Sequence, residues 1–437
     1  REKEKTENTL KSIELDFPED PAHSMNLAKF YLMANQPDQA EEELKKTVEK
    51  APDNPQAYIA LARFYLSQNR VDKAERILRQ AVEAIPDSVQ TRLTLGEFYL
   101  ASNRTDKAAA TFEAAAESFP EDIRPLKARA RMHYDQGQLV KAEELIETIL
   151  EMDEGDTFTQ MLKARIVIKK QDFRQAQSIL AQVIQDRPNN ADAHYYMALA
   201  QFGLGADSMG RASLEDALQL NPEHTLANLL KAETLLQEEA YDEALDRSQA
   251  VIDAKPQEVR AYLLKGRIFL ARKDLAKARA SFEKAVEINP DMDTGYLFLG
   301  QLDQAEKNYE QAMARFEKAL EKNPLSAQAM RSKVLTHLML NQPDKALSFC
   351  EKQIRTYPEK PALQSFMYNL QGTVFLSQKK VDQAENAFQE AVKSNPQWPT
   401  PYLQLARIYG ATGKTDQAIA QFETIHANRP EYLPAIM

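Results

Sequence analysis

Six histidines, one cysteine, one glycine cluster and many carboxylates are the groups in this 437-residue chain that could do chemistry. A metal site carried on one helix needs two histidines a turn apart, as in H-x-x-x-H. His23, His133, His194, His224, His337 and His426 never come that close in sequence. A nucleophilic cysteine needs an exposed, activated thiolate. Cys350 sits at an apolar helical position and reads as a buried small hydrophobe. A lone cysteine also excludes an internal disulfide and a cysteine-based zinc site. The run Gly203-Leu204-Gly205-Ala206-Asp207-Ser208-Met209-Gly210 lacks the spacing of a phosphate loop and follows a helical pattern, so it reads as a turn. Carboxylate runs such as Glu41-Glu42-Glu43 read as solvated helix faces. No catalytic residue, cofactor or metal is expected within this chain.

Composition says what must hold these groups. Twelve glycines in 437 residues are too few for a set of α/β or all-β domains, since average usage of roughly 7% would supply about 30. Hydrophobic residues at 43% and charged residues at 27% allow a buried core. The sequence has no apolar run of the roughly 18 residues that read as a membrane span. A net charge of −10 argues against a nucleic-acid partner.

The 21 prolines are periodic. Pro18, Pro52, Pro86 and Pro120 are 34 residues apart, as are Pro188, Pro222, Pro256, Pro290, Pro324 and Pro358. Glu154 takes the skipped place beside Gly155, and Pro396 and Pro430 follow after a four-residue offset. Twelve residues before each mark stands a small residue, from Ala40, Ala74 and Ala108 to Gly210, Ala384 and Ala418. Twelve earlier stands another, as Ala28, Ala62, Gly96, Gly266, Gly300 and Gly372. Large apolar residues fill the same faces at steps of three or four: Tyr31, Tyr65 and Tyr99 on the first helix, Leu44, Leu78 and Phe112 on the second. Asn35, Asn69, Asn103, Gly137, Gly205, Asn341 and Gly413 suit a left-handed turn between the two helices. Asp38, Asp72, Asp106, Asp242, Asp344, Asp382 and Asp416 are then expected to N-cap the second helix. A fixed 34-residue period means one quasi-linear array rather than three globules.

The pattern resembles the tetratricopeptide repeat (TPR) family, most closely where Tyr58-Ile59-Ala60-Leu61-Ala62-Arg63-Phe64-Tyr65 is followed by Ala74, Leu78, Ala81 and Pro86. The resemblance implies an all-α fold, an α-solenoid of stacked antiparallel helix pairs in a right-handed superhelix. Repeats 1–10 occupy residues 21–360, an insertion 361–364, and repeats 11 and 12 residues 365–432. Residues 1–20 read as the partial helix of a preceding repeat and 433–437 as the start of a further one. Because an array closes on a polar capping helix, the chain is expected to be cut from a longer parent. Repeat 9 carries Asp303 at an aromatic position, and repeat 10 carries His337 and Cys350 at core positions. The stretch from repeat 9 to the insertion is therefore expected to be the softest interior region.

The resemblance also implies that the first helix of each pair lines the concave face, with its second, fifth and ninth residues pointing into a groove. Arg124, Lys127 and Arg131 of repeat 4 then lie beside Phe158, Met161 and Arg165 of repeat 5. Tyr195 of repeat 6 continues the row, and Arg260, Leu263 and Arg267 form its counterpart in repeat 8. This mixture suits a protein or peptide with acidic and apolar residues, bound in a locally basic groove of an acidic protein. The chaperone-tail clamp of some family members is not expected, because Arg131 and Leu162 stand where asparagines would be needed.

A noncatalytic scaffold is the leading expectation. The alternatives are a recruiting segment of a larger enzyme such as a glycosyltransferase, and a self-assembling homo-oligomeric array. The sequence style is also similar to bacterial envelope repeat proteins linked to exopolysaccharide or protein export.

Overall fold

The computed structural model describes residues 2–16 and 20–429, and these hold 25 α-helices and no strand. The positions read as the start of a further repeat, 433–437, lie outside the described residues, as do Phe17, Pro18 and Pro430. The first helix, Glu2–Asp16, is followed by twelve pairs, from Pro21–Met33 with Pro37–Lys50 to Pro399–Ala411 with Thr415–Asn428. Helix A and helix B denote the two members of each pair. The four extra residues before repeat 11 form no loop. They are the first turn of its helix A, which runs Pro361–Ser377 and is 17 residues long against 13 elsewhere.

Each A–B turn holds one residue with positive φ. Asparagine or glycine stands there in seven repeats, but Gln171, Glu239, Lys273, Lys307 and Lys379 adopt the same conformation at φ 60 to 63° or, for Lys307, 65°. The next N–H donates back into helix A, as Gln36 does to the Tyr31 carbonyl at 2.9 Å and Asn308 to the Asp303 carbonyl at 2.8 Å. This closing bond holds the turn whichever residue occupies it. A lysine there bears a Cβ clash that glycine lacks. Lys307→Gly is therefore expected to stabilise repeat 9 by about 0.5–1 kcal/mol, read as slower amide exchange at the end of its helix A.

The aspartates of the turns are not N-caps. Asp38, Asp72 and Asp106 lie inside the first turn of their helices, whose caps are Gln36, Arg70 and Arg104 without a side-chain bond. They act on the helix dipole instead. Side-chain capping occurs mainly one turn away, at the start of helix A, by Asp20, Asn54, Ser88, Asp122, Asp156 and Asn190. The B–A turn has a second tie. Tyr58, Tyr262 and Tyr402 each donate a hydroxyl hydrogen bond to the proline carbonyl six residues earlier, at 3.1 to 3.2 Å.

The chain divides into two compact units, Arg1–Leu220 and Asn221–Met437. Within each, every helix packs on its neighbours in sequence, and several A helices also touch the A helix of the next repeat. No comparable pairing joins B helices among the described residues, so helices A form the crowded inner layer. The core is a row of clusters: one runs from Leu27 to Met132 across repeats 1–4, and smaller ones span adjacent repeats, as Ile146, Ile149 and Ile166 in the first unit and Ala278, Phe282 and Leu299 in the second. Apolar burial is thus earned locally, repeat by repeat.

Candidate partner-binding groove

Helix A of repeat 4 (Ile123–Asp135) presents Arg124, Lys127 and Arg131, and helix A of repeat 5 (Thr157–Lys169) presents Phe158, Met161 and Arg165. Arg124, Lys127, Arg131 and Phe158, but not Met161 or Arg165, line an open groove of about 760 Å³ together with helix A of repeat 3 (Val89–Ala101). Its floor is Leu93, Leu100, Ala101, Ala128 and the ring of Phe158, which is 40% exposed. Its rim alternates in sign: Glu97 and Asp135 stand among Arg124, Lys127 and Arg131.

The carboxylates that cap these helices also neutralise the cations. Asp122 accepts the Arg124 backbone N–H at 2.9 Å and ion-pairs its guanidinium at 2.5 Å. Asp156 accepts from the Thr159 backbone at 2.9 Å and from Lys127 Nζ at 2.6 Å. The Arg124 hydrogen bond holds Asp122 below the usual carboxylate range. Burial pushes Asp156 up, but hydrogen bonds from Lys127 and Thr159 outweigh it and leave the group lowered. Arg131 reaches only Asp135, at 3.7 Å, and its side chain is 68% exposed. The expected basic groove is therefore close to charge-balanced. Two of the compensating acids, Asp122 and Asp156, come from cap positions, outside the groove-facing columns.

Other expected groove residues are placed differently. Tyr195 is only 9% exposed and Leu263 8%, so both pack in the helix layer instead of facing a ligand. Met161 is half-buried against the cluster of repeats 5 and 6. In the second unit, Arg260 pairs with Glu258 and Arg267 with Glu233, each at 2.8 Å. Arg165 differs from all of these. Its guanidinium carbon lies 4.5 Å from the ring centre of Tyr134 and 5.7 Å from that of Tyr196. Tyr134, Tyr196 and Lys169 around Arg165, and Leu100 in the groove floor, lie outside the second, fifth and ninth helix positions from which the sequence names site residues.

The histidines serve turns and caps. His194 bonds the Pro188 carbonyl at 2.9 Å, doing the work of Tyr58. His224 Nδ1 accepts from the Ala227 N–H at 3.1 Å as an N-cap. His133 and His337 meet Gln138 and Gln342 at 2.8 and 3.3 Å. Cys350 is fully buried, and burial pushes its thiol up to about 12, far from a reactive thiolate. Among the described residues no cluster of three His, Cys, Asp or Glu could hold a metal ion, and no helix is long and apolar enough to cross a membrane.

A family model described as tetratricopeptide repeat matches residues 5–63, 31–91, 65–132, 99–166, 269–333, 303–370 and 375–436. A second with the same description matches 161–207, 210–248 and 241–293. A search of curated proteins finds no match. Among solved structures, yeast Tom70 is similar over 95% of this chain and 94% of that chain, with 16% identity and a TM-score of 0.53. The APC/C hetero-tetramer Cut9–Hcn1 is similar over 97% of this chain and 90% of that one, at 14% identity and a TM-score of 0.45. At 16% identity the likeness to Tom70 is one of fold.

Proposed function

The chain belongs to the tetratricopeptide repeat family, and from there we propose that it is a noncatalytic scaffold holding a segment of a partner protein in the groove of repeats 3–5. The observation that carries this is the exposed apolar floor around Phe158, set between rims of both signs. Water excluded from that floor supplies affinity, and the rim charges set register and direction. A preformed groove also reduces the ordering cost of binding. The partner is a peptide or helix with an apolar anchor and at least one acidic residue directed at Arg131 and Arg165. Its setting, by the likeness of sequence style, is an envelope assembly linked to polysaccharide or protein export.

Reversing two charges tests the reading. Arg131→Glu with Arg165→Glu is expected to weaken an acidic, phenylalanine-anchored peptide by at least about tenfold, measured by fluorescence anisotropy on protein whose helicity and melting are unchanged. Equal affinity in the variant places binding elsewhere on the array.

A further inference from the structure

Arg165 and Lys169 stand apart from the other cations of the candidate site. Arg124, Lys127, Arg131, Arg260 and Arg267 each have a carboxylate within 4 Å. Among the described residues neither Arg165 nor Lys169 has one, although the chain carries a net charge of −10. Instead both converge on one ring. Lys169 Nζ lies 3.9 Å from the ring centre of Tyr134, and the Arg165 guanidinium 4.5 Å from it. Tyr196 closes a second side of the guanidinium at 5.7 Å. Tyr134 itself is buried, so the platform is rigid.

Two like charges four residues apart on a helix repel each other. Ring faces offset that repulsion only in part, at about 0.5–2 kcal/mol per cation. The Arg165 Nε is sealed from solvent and has no hydrogen-bond partner, so the rings beside the guanidinium leave that donor unsatisfied. Burial above all pushes the Tyr196 phenol up from its ordinary value, despite the nearby Arg165, which keeps that wall uncharged. An anion placed against both cations would relieve the repulsion and meet charge-assisted donors.

We infer that Arg165 and Lys169, held against Tyr134 and Tyr196, anchor an anionic group, carboxylate or phosphoryl, on the partner peptide. The inference rests on the groove reading: the adjoining floor around Phe158 takes the apolar residue, and this pair takes the anion. Lys169 lies outside the charge-balanced rim, so its effect is separable from that of Arg131.

The test uses the full chain and two labelled peptides, one with a phenylalanine flanked by glutamates and one with phosphoserines in place of those glutamates. Lys169→Gln and Arg165→Gln are each expected to weaken binding about five- to tenfold, and together to flatten its salt dependence. Lys169 is exposed, so its variant carries little folding burden. Tighter binding of the phosphopeptide assigns a phosphoryl; equal or weaker binding assigns a carboxylate. Wild-type affinity in both variants overturns the anchor. If Phe158→Ala still weakens binding in that case, the groove reading stands without it. If Phe158→Ala is also silent, or the wild type binds neither peptide, both readings fall.

Discussion

Arg279→Glu is expected to open repeat 9 locally, at a cost of about 3–5 kcal/mol, because it strips a buried carboxylate of its counterion. Asp303 is 1% exposed and held by Arg279 at 2.7 Å, with Arg315 only at 3.9 Å. Arg279 also binds Glu306 at 2.8 Å. The substitution would gather three carboxylates in one place. The repeat offers its own remedy. Asp303 lies seven 34-residue steps after Tyr65, and Arg279 seven steps after Glu41. At the earlier place the Tyr65 hydroxyl donates to Glu41 at 3.0 Å, and Tyr99–Glu75 and Tyr409–Glu385 repeat it at the same distance. The junction of repeats 8 and 9 has exchanged a phenol and an acid for an acid and a base. Arg279→Glu with Asp303→Tyr should therefore recover most of the loss. Amide exchange in Leu275–Ile288 and Asp293–Ala305 is the readout. No faster exchange in the single variant, or no recovery in the double, would refute the equivalence.

The Glu41–Tyr65 pair itself should respond to acid. At Glu41 burial favours the neutral form, but hydrogen bonds from Lys45 and Tyr65 and the charges of Lys45 and Lys73 outweigh it, bringing the group from 4.5 to about 2. A carboxylate depressed on folding stabilises fully above its unfolded value. That contribution is lost as pH falls from about 4.5 towards 2.

What was legible in the sequence was whatever one residue type decides alone. Proline at most B–A turns, small residues in both close-packed columns and Asn or Gly at seven left-handed turns reveal the all-α array of helix pairs. What escaped depends on pairs. Lys307 is left-handed because the closing bond to Asp303 demands it, not because lysine prefers it. Asp38 has the residue type of a cap, but the cap is Gln36, two residues earlier. The groove looks basic in sequence because Asp122 and Asp156 belong to cap columns, and only the fold turns them towards Arg124 and Lys127. Tyr134 and Tyr196 face Arg165 from two other helices, a meeting that no single column records.

The same dependence on pairs sets the sign of a glycine substitution. Glycine in a helix interior normally costs stability relative to alanine, by about 0.5–1 kcal/mol. Gly410 has open space at its missing Cβ, so Gly410→Ala should stabilise by roughly that amount. Gly266→Ala should do the reverse. Its Cβ would fall within 2.3 Å of the Phe282 ring, which is fully buried and stacked on Phe298 at 5.0 Å. Gly96, Gly300 and Gly372 face Phe112, Phe316 and Phe388 in the same way. Where the first column holds Ala62, Ala130 or Ala164, the facing residue sixteen positions on is Leu78, Ile146 or Leu180. At Val334 it shrinks further, to Cys350. Apart from Ala406 beside the partly buried Phe422, these columns share one volume, so an added methyl group beside the fully buried Phe282 is overpacking, at about 1–3 kcal/mol. Adding Phe282→Leu to Gly266→Ala reproduces the Ala62–Leu78 pairing and should restore most of that loss, a coupling a double-mutant cycle in urea would measure. If the two substitutions prove additive, the volume exchange between helices A and B is not what holds these repeats in register.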